Sequence, residues 1–578
     1  MTPGRRLLFG LAAAAAVLLL GRMLAVVYAD YTWYSALDAS ALWSERVGDV
    51  AMIHTVSATV AGIFALVNLF AIRRSIVSLA FPRRLGNVEF GEAVPARYLD
   101  RGVVVLSLAV GVLAAIVVPR WEHLALIRTG ARFGEKDPFF QMDLSFYVAW
   151  LPLEFSAYTW VLTVLVTVTA VVVGLYALTP SLRWERGAFR LSVHVRRHLA
   201  VLGALFLLVT AWNYRLAGYR LLMNGTGVDG MFSYIDHQWL IPAYLSLSVV
   251  TVAAAALVFV SGWTGQLRTI FFTISAVLVF SIALDLVLPS VSRRLAISSV
   301  DARQQQPYAA TRTAFTRRAY GEARSSVTPT EVSRFATFGD SARIGKWIED
   351  EKARMLVYPD AHSAAVVSPA AAIPAPALGS GLSRLAHGWA EQRLDLVWGA
   401  FPATARIVRI RDVRDRVHAL APVFAQGSFV SPAFLGDTVM WVLELYSAST
   451  TYPLSAHYTL AGADRSYFRH AGTALINSRT GRVSIISSSA PDPIAVAWRA
   501  RLPSTFRAGG ADILDALTVN PVLPAGDSTG QSLPSASNGV FRREVTRLFS
   551  RMRQALASGN LSAFAAAYDS LGALIGRE

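Results

Sequence analysis

The residues best suited to chemistry lie in one segment, FGEKDPFFQMDLSFY, at positions 133–147. Two aspartates and a proline alternate there with aromatic rings. A carboxylate in front of a proline is a typical helix start, because its oxygens accept main-chain N–H groups and proline needs no hydrogen bond at the first helical position. We therefore expect a short helix capped by the first aspartate. The candidate functional residues of this segment are Asp137, Pro138, Phe140, Asp143, Phe146 and Tyr147.

Two interpretations of this segment remain open. Apolar rings interleaved with charges are typical of an amphipathic segment that lies on a membrane surface. The same side chains could instead line a groove for a ligand.

A second candidate is the pair Asp236-His237. A metal site needs several converging His, Cys or carboxylate ligands. The ten histidines show no His-Glu-x-x-His pattern. We therefore expect this pair to belong to a candidate functional loop next to the sixth apolar stretch, and we expect no metal and no cofactor.

Two glycine patterns resemble catalytic or nucleotide-binding motifs. Residues 526–530 fit G-x-S-x-G, but the nucleophile Ser528 would need a strand before it and a helix after it. It stands instead in the polar stretch LPAGDSTGQSLPSASNG. Residues 225–230 fit G-x-G-x-x-G in a loop between two apolar stretches, where a turn is expected. We expect no catalytic residue in either, and a hydrolase that uses Ser528 stays an alternative.

Composition places these candidates in a membrane protein. Of the 578 residues, 54% are hydrophobic and 16% charged, against about 25% charged in ordinary globular proteins. Cysteine is absent, which excludes disulfides and thiol chemistry. The net charge is +16, but the basic residues are scattered with no run of five, so we expect no nucleic-acid binding.

Seven stretches are apolar enough to cross a bilayer, which takes about 20 helical residues. They are Leu7–Ala29, Val50–Ile72, Gly102–Pro119, Phe155–Leu178, His198–Tyr214, Trp239–Trp263 and Thr269–Leu288. Together they predict an all-α membrane domain over residues 1–289. Charges are expensive within a span. Arg22 is therefore expected to reach the interface or to find a partner in the bundle.

The basic residues of the loops predict the orientation. With a cytoplasmic amino terminus, the inner segments hold fourteen Arg and Lys and the outer loops seven. Residues 290–578 would then lie on the extracytoplasmic side of the inner membrane. Arg5, Arg6 and the following apolar stretch also fit a signal peptide. Its cleavage would leave six spans and the same final topology.

The second half predicts a water-soluble α+β domain. Residues 406–410 and 439–446 are expected to be strands, and 475–476 pair with 483–486 in a hairpin around a glycine turn. The run 366–381 is rich in Ala, Pro, Ser and Gly and is predicted to be a linker. Helical spacing over 540–557 and 561–575 predicts a carboxyl-terminal helical hairpin.

Several motifs resemble those of one family. Asp137-Pro138-x-Phe140-x-x-Asp143-x-Ser145-Phe146-Tyr147, followed by Leu151-Pro152, is similar to the hallmark loop of uncharacterised protein family 0182. The stretches DYTWY at 30–34, SYIDH at 233–237, QPY at 306–308, RAYG at 318–321, YSASTTYP at 446–453 and DPI at 492–494 also resemble that family. The resemblance implies a bacterial multi-pass membrane protein with a large extracytoplasmic region and no established activity. The chain departs from the family between about Ser325 and Val397, where members are longer.

We therefore expect a multi-pass protein of the cell membrane with a non-enzymatic role in the envelope, through interaction or support. Its expected partners are the lipid bilayer and other envelope proteins or polymers. The alternatives are a transporter or channel component, which would need a polar path through the spans, and a membrane-anchored extracytoplasmic hydrolase. Oligomeric state is not readable from the sequence.

Overall fold

The structure is a computed structural model. It describes residues 3–76, 96–117, 120–177, 188–283, 301–321, 341–368 and 373–501, with short pieces at 84–85, 88–89, 182–185, 329–331, 503, 506–507 and 510–518 and isolated positions between 547 and 566. The chain forms two units, Met1–Pro521 and Val522–Glu578. The predicted carboxyl-terminal helical hairpin and Ser528 lie outside the described residues.

The amino-terminal half is helical, as its unbroken apolar stretches predict. Its helices are α1 (Pro3–Ala36), α2 (Ser40–Ile76), α3 (Ala96–Ile116), α4 (Trp121–Thr129), α5 (Leu151–Ala177), α6 (Val193–Met223), α7 (Ile241–Thr264) and α8 (Leu267–Ile282). Two small hairpins join them, β1 (Arg84–Leu85) with β2 (Val88–Glu89), and β3 (Leu182–Glu185) with β4 (Ala188–Leu191).

Six of the described helices are long and apolar enough to cross a membrane, namely α1, α2, α3, α5, α6 and α7 with their immediate extensions. They correspond to the first six predicted stretches. The seventh stretch corresponds to α8, whose 16 residues are shorter. Residues 284–300 lie outside the described part, so the count of seven spans and the boundary at residue 289 stay predictions.

Small residues allow the long helices to approach each other closely. A Cβ atom on Gly111 of α3 would lie 2.6 Å from the Ala58 carbonyl oxygen of α2, and the Gly62 Cα is 3.3 Å from the same point. Between α6 and α7, a side chain on Gly262 would collide with Ala200. Close approach through small residues is the usual way in which membrane helices gain packing energy, because lipid supplies no hydrophobic driving force between them.

The carboxyl-terminal half of the first unit is an α+β domain. Its main sheet has the order β13-β12-β11-β8-β7, antiparallel except for the pair β12–β13. The strands are β7 (Ala425–Leu435), β8 (Thr438–Ser449), β11 (Tyr467–Asn477), β12 (Val483–Ser487) and β13 (Phe506–Arg507). The predicted hairpin is confirmed: β11 and β12 pair through Ile476 and Val483, and the turn holds Gly481 at φ +70.

Seven further helices complete the described part of this half. They are α9 (Asp301–Tyr320), α10 (Ser341–Glu351), α11 (Leu382–Ala390), α12 (Asp395–Trp398), α13 (Val413–Leu420), α14 (Pro493–Arg501) and α15 (Ala511–Ala516). A short hairpin joins β9 (Tyr458–Leu460) and β10 (Ala463–Arg465). A helical membrane part followed by a soluble α+β domain is therefore the coarse architecture.

The predicted linker over residues 366–381 is wrong for its described part. Strand β5 (Ala365–Val367) pairs antiparallel with β6 (Arg406–Val408). Leu378 is buried, and its N–H donates to the Ala405 carbonyl at 2.9 Å. The small residues pack a compact corner because alanine and leucine side chains fill it, a result that composition alone does not indicate.

Candidate functional site

Asp137 organises the first candidate loop and is completely buried. Its Oδ1 accepts the N–H groups of Phe139 at 2.9 Å and Phe140 at 2.6 Å. Its Oδ2 accepts the Met142 N–H at 2.8 Å and the Tyr147 hydroxyl at 3.0 Å. The residues after it form a hydrogen-bonded turn and not the predicted helix. A carboxylate whose oxygens accept four hydrogen bonds holds the loop in shape.

Asp143 closes the same loop from its other side. Its carboxylate accepts the main-chain N–H groups of Phe133 at 3.3 Å, Gly134 at 3.1 Å and Ser145 at 2.8 Å. Burial would raise the pKa of this carboxyl, but the hydrogen bonds from Ser145, Phe133 and Gly134 outweigh it and lower the pKa. Asp143 therefore stabilises the loop as a charged carboxylate.

Asp236 organises the loop at residues 225–237, the second candidate loop, by accepting hydrogen bonds from it. It is completely buried. Its Oδ2 accepts the N–H groups of Thr226 at 3.0 Å and Ser233 at 2.8 Å, and its Oδ1 accepts the Thr226 hydroxyl at 2.6 Å. A Cβ atom at Gly225 would lie 2.5 Å from the Met231 carbonyl oxygen. The glycine pattern at 225–230 is thus a tight turn folded around a carboxylate, as expected.

His237 does not share the hydrogen-bond partners of Asp236. Its Nδ1 forms a hydrogen bond of 2.9 Å with the hydroxyl of Tyr308 on α9. Among the residues that the structure describes, no group of three His, Asp or Glu is placed to hold a metal ion.

The structure brings the two loops together, although Asp137 and Asp236 lie 99 positions apart (236 − 137). The Phe139 ring lies 4.6 Å from Phe232 and 4.7 Å from His237, and it stacks at 6.2 Å on Tyr308. On the other side of the turn, Phe140 packs at 4.9 Å against Tyr219 of α6. Phe146 and Tyr147 also contact this ring, at 5.2 and 6.1 Å. The Pro138 carbonyl accepts the Gln141 side-chain amide at 3.1 Å.

Each loop leads into a long apolar helix through a single π turn. These turns cover Phe146–Trp150 before α5 and Asp236–Leu240 before α7. The Leu151 N–H donates to the Phe146 carbonyl, and the Ile241 N–H donates to the Asp236 carbonyl. The following residue is proline in both cases, Pro152 and Pro242. Proline lacks the N–H of the next helical bond and its ring crowds the carbonyl four residues back, so a widened turn relieves the clash.

The α+β domain rests on these same loops and helix ends, which we call the domain-facing ends of the bundle. The Thr451 hydroxyl donates to the Tyr147 carbonyl at 2.7 Å, and the Leu454 N–H donates to the Leu222 carbonyl at 2.6 Å. The Tyr34 hydroxyl at the end of α1 donates to the Ala419 carbonyl at 2.9 Å. Buried residues of both parts belong to one continuous hydrophobic core.

A cavity of about 840 Å³ lies between the domain-facing ends and the domain. Its charged and histidine side chains are His54, Arg120, Glu122, His123, His418 and Arg465. Arg465 Nε and Glu122 Oε2 are buried and have no hydrogen-bond partner among the described residues. Burial lowers the pKa of His123. Apolar walls with unpaired charged groups could hold an amphiphilic molecule with a charged end.

Sequence reasoning missed this cavity because its walls come from distant parts of the chain. His54 is on α2, His123 on α4, and the remaining walls come from α5 and the domain. One signal was available: residues Ala448 to Thr451, in the YSASTTYP stretch, line the cavity.

The comparisons with known proteins agree on one family. The model described as "Uncharacterised protein family (UPF0182)" matches residues 7–344 and 374–512. A UPF0182 protein of Desulforamulus reducens is 24% identical over 312 residues, which are 51% of this chain and 34% of that protein. One of Geobacter sulfurreducens is 28% identical over 302 residues, 48% of this chain and 32% of the relative. A third, from Frankia alni, is 28% identical over 262 residues, 43% and 25% respectively.

These matches cover 34% or less of each relative's length. No solved structure matches the chain. The family match is interrupted between residues 344 and 374, inside the segment where the sequence departs from the family pattern. The matched residues include both Asp-capped loops, both π turns and the strand that ends at the cavity, and on this ground the chain belongs to the uncharacterised protein family UPF0182.

Proposed function

We propose that this protein is a non-enzymatic interaction platform of the cell envelope. Its membrane helices hold the α+β domain in a fixed position on the extracytoplasmic side, and the cavity between the two parts receives a partner molecule. In this proposal the amino terminus is cytoplasmic, α8 extends to a seventh span and the first span is retained.

The observation that carries the proposal is the continuous core between helices and domain. Charged contacts reinforce it at two further places. Arg409 of the domain pairs with Asp30 of α1 at 3.0 Å and with Glu391 at 2.5 Å. Arg501 of α14 pairs with Glu45 of α2 at 3.0 Å. A domain joined to its anchor only by a linker would not share a core with it.

The character of the cavity supports a binding role. Exposed Thr450 lines it at the end of strand β8, and Arg465 contributes a half-buried guanidinium whose Nε is buried. A ligand with an anionic group and an apolar part suits this lining, because Arg donors match carboxylate and phosphate oxygens. Lipids and lipid-linked envelope components belong to this class.

Photo-crosslinking in living cells tests the proposal. A benzoylphenylalanine at Thr450 reports on the cavity, and the same residue at Asp437 is the matched control. Both positions are exposed and flank strand β8, about 40 Å apart at 3.3 Å per residue. We expect a discrete adduct at Thr450 that is absent at Asp437 and weaker when Arg465→Gln is added. No adduct at Thr450, or identical adducts at both positions, would contradict the platform.

Transport is the second candidate function, favoured by one polar network inside the bundle. His198 of α6 binds the Asn68 side chain of α2 at 2.9 Å and the Tyr176 hydroxyl of α5 at 2.8 Å. All three residues lie within about two turns of the helix ends remote from the domain. If transport is the activity, Asn68→Leu abolishes it and leaves the Thr450 adduct unchanged.

A further inference from the structure

The helix pair α11–α12 exposes large hydrophobic side chains in a domain that should be water-soluble. Leu382 is 84% exposed, Leu394 68% and Trp398 77%. Soluble surfaces do carry single exposed apolar residues, but a group of them on one short segment marks an interaction site. We call residues 382–398 the α11–α12 segment.

The segment is firmly folded, so these side chains are not exposed by local looseness. Leu396 is completely buried in a small core with Leu378 and Ile407. The Arg384 Nε donates to the Leu396 carbonyl at 3.0 Å, and its guanidinium lies 5.4 Å from the centre of the Phe401 ring. The apolar side chains therefore point outwards from a rigid base.

The α11–α12 segment packs against α1, which is one of the apolar helices long enough to cross a membrane. A Cβ atom at Gly21 would lie 2.5 Å from the Trp389 ring, so glycine is needed for this approach. The Arg22 guanidinium donates to the Trp389 carbonyl at 3.0 Å, and the Tyr28 hydroxyl donates to the Ser383 hydroxyl at 3.2 Å. Arg22 thus has a partner in the α+β domain.

The position along α1 sets the depth of the segment. Arg22 lies fourteen residues before the end of α1, about 21 Å at 1.5 Å per residue. On α2, the apolar stretch starts at Val50, ten residues after its first residue, or about 15 Å. Only three residues join the two helices, so equal distances from this turn correspond to similar depths. The α11–α12 segment therefore reaches the level at which hydrocarbon begins.

The surface next to the segment is already a lipid-facing surface. Leu18, Leu19 and Leu20 are 60%, 71% and 61% exposed on α1, immediately below the Gly21 contact. In a membrane-spanning helix, side chains exposed in this way face acyl chains. The α11–α12 segment packs on α1 directly beside these leucines, through the Trp389 ring at Gly21.

We propose that the α11–α12 segment is an interfacial membrane insertion, occupied by the phospholipids of the leaflet next to the α+β domain. Its leucines and Trp398 lie among the upper acyl chains, and the Arg22 guanidinium at this depth is satisfied by the Trp389 carbonyl. The domain is thereby held to the bilayer directly as well as through the spans. This inference depends only on α1 crossing the membrane and not on the platform function.

The absence of cysteine makes a depth measurement direct. Single variants Leu394→Cys and Trp398→Cys are labelled with the NBD fluorophore, and the full chain is reconstituted in phosphatidylcholine–phosphatidylglycerol vesicles. Nitroxide lipids spin-labelled near the headgroup or deep in the chain then quench the label. Leu19→Cys is the lipid-exposed control, and Phe429→Cys on β7, 59% exposed, is the control in the soluble domain.

We expect the labels at positions 394 and 398 to be quenched several-fold more by the shallow nitroxide than the label at 429. Quenching by the deep nitroxide should be weaker than by the shallow one at both positions. Quenching no greater than at position 429 overturns the proposal. Blue-shifted but unquenched emission also overturns it, because a protein surface or a second copy would then cover the patch.

Discussion

The change Asp137→Asn tests whether the buried carboxylate of the hallmark loop holds the junction together. The wild-type side chain accepts four hydrogen bonds, two on each oxygen. Asparagine keeps one acceptor oxygen and replaces the other by an amide that cannot accept. Two bonds to the carboxylate are therefore lost, and each is worth about 1.5–3 kcal/mol when one partner is charged.

Removal of a buried charge offsets part of this loss, because an uncharged amide costs less to desolvate. We expect the free energy of unfolding to fall by about 2–4 kcal/mol. The control is Asp229→Asn in the neighbouring loop. Asp229 is exposed and has φ 52 and ψ 37, a left-handed conformation in which asparagine is well tolerated, so its stability should hardly change.

Unfolding in detergent micelles, followed by fluorescence during denaturant titration, measures both variants. Equal midpoints for Asp137→Asn, Asp229→Asn and wild type would refute the account of the loop. A loss of cellular function by Asp137→Asn without a loss of stability would also contradict it, because the carboxylate would then act on a ligand.

Three further perturbations address the domain and its junction. Arg416 is 1% exposed and donates to the carbonyls of Gly481, Arg409 and Ile410 at 2.8 to 2.9 Å. Arg416→Met should therefore lower the free energy of unfolding by about 3–5 kcal/mol in the same titration. The control Arg354→Met removes an exposed i,i+3 ion pair and should change stability little. Burial, followed by the charge of Arg409, lowers the pKa of His387 from 6.5 to about 4. The unfolded chain therefore binds a proton more readily, so wild type should lose stability relative to His387→Phe as pH falls from 6.5 towards 4, and a pH-independent difference in melting midpoint would contradict this. Thr451→Val removes the 2.7 Å bond to the Tyr147 carbonyl and should lower stability by about 1 kcal/mol; no change by the same titration would show that this contact does not stabilise the junction.

Helices and strands were predictable where the signal is local. Each long apolar stretch specifies its own helix, because the peptide groups of a membrane segment must bond within it. Most of strand β8 and the end of strand β11 were predicted, at residues 439–446 and 475–476. The two aspartate loops were identified as candidate sites, but their meeting is a contact between Phe139 and Phe232, which lie 93 positions apart (232 − 139) and share no local pattern.

The remaining features depend on contacts between distant residues. The linker prediction failed because small residues suit a mobile chain and a tight corner equally well. Trp389, which receives Arg22 through its carbonyl, lies 367 positions along the chain from it, so no window of sequence contains both. The cavity lining comes from separate helices and from the domain, and only the placement of the domain on the bundle assembles it.

The central claim is that the α+β domain sits on the outer side of the membrane at the domain-facing ends of the bundle. Single-cysteine variants Asp437→Cys, at the β7–β8 turn, and Gln266→Cys, between α7 and α8 at the remote end, test it with a membrane-impermeant maleimide. In intact spheroplasts we expect labelling of position 437 and none of 266 until the membrane is permeabilised. Labelling of 266 but not 437 in intact spheroplasts would contradict the account.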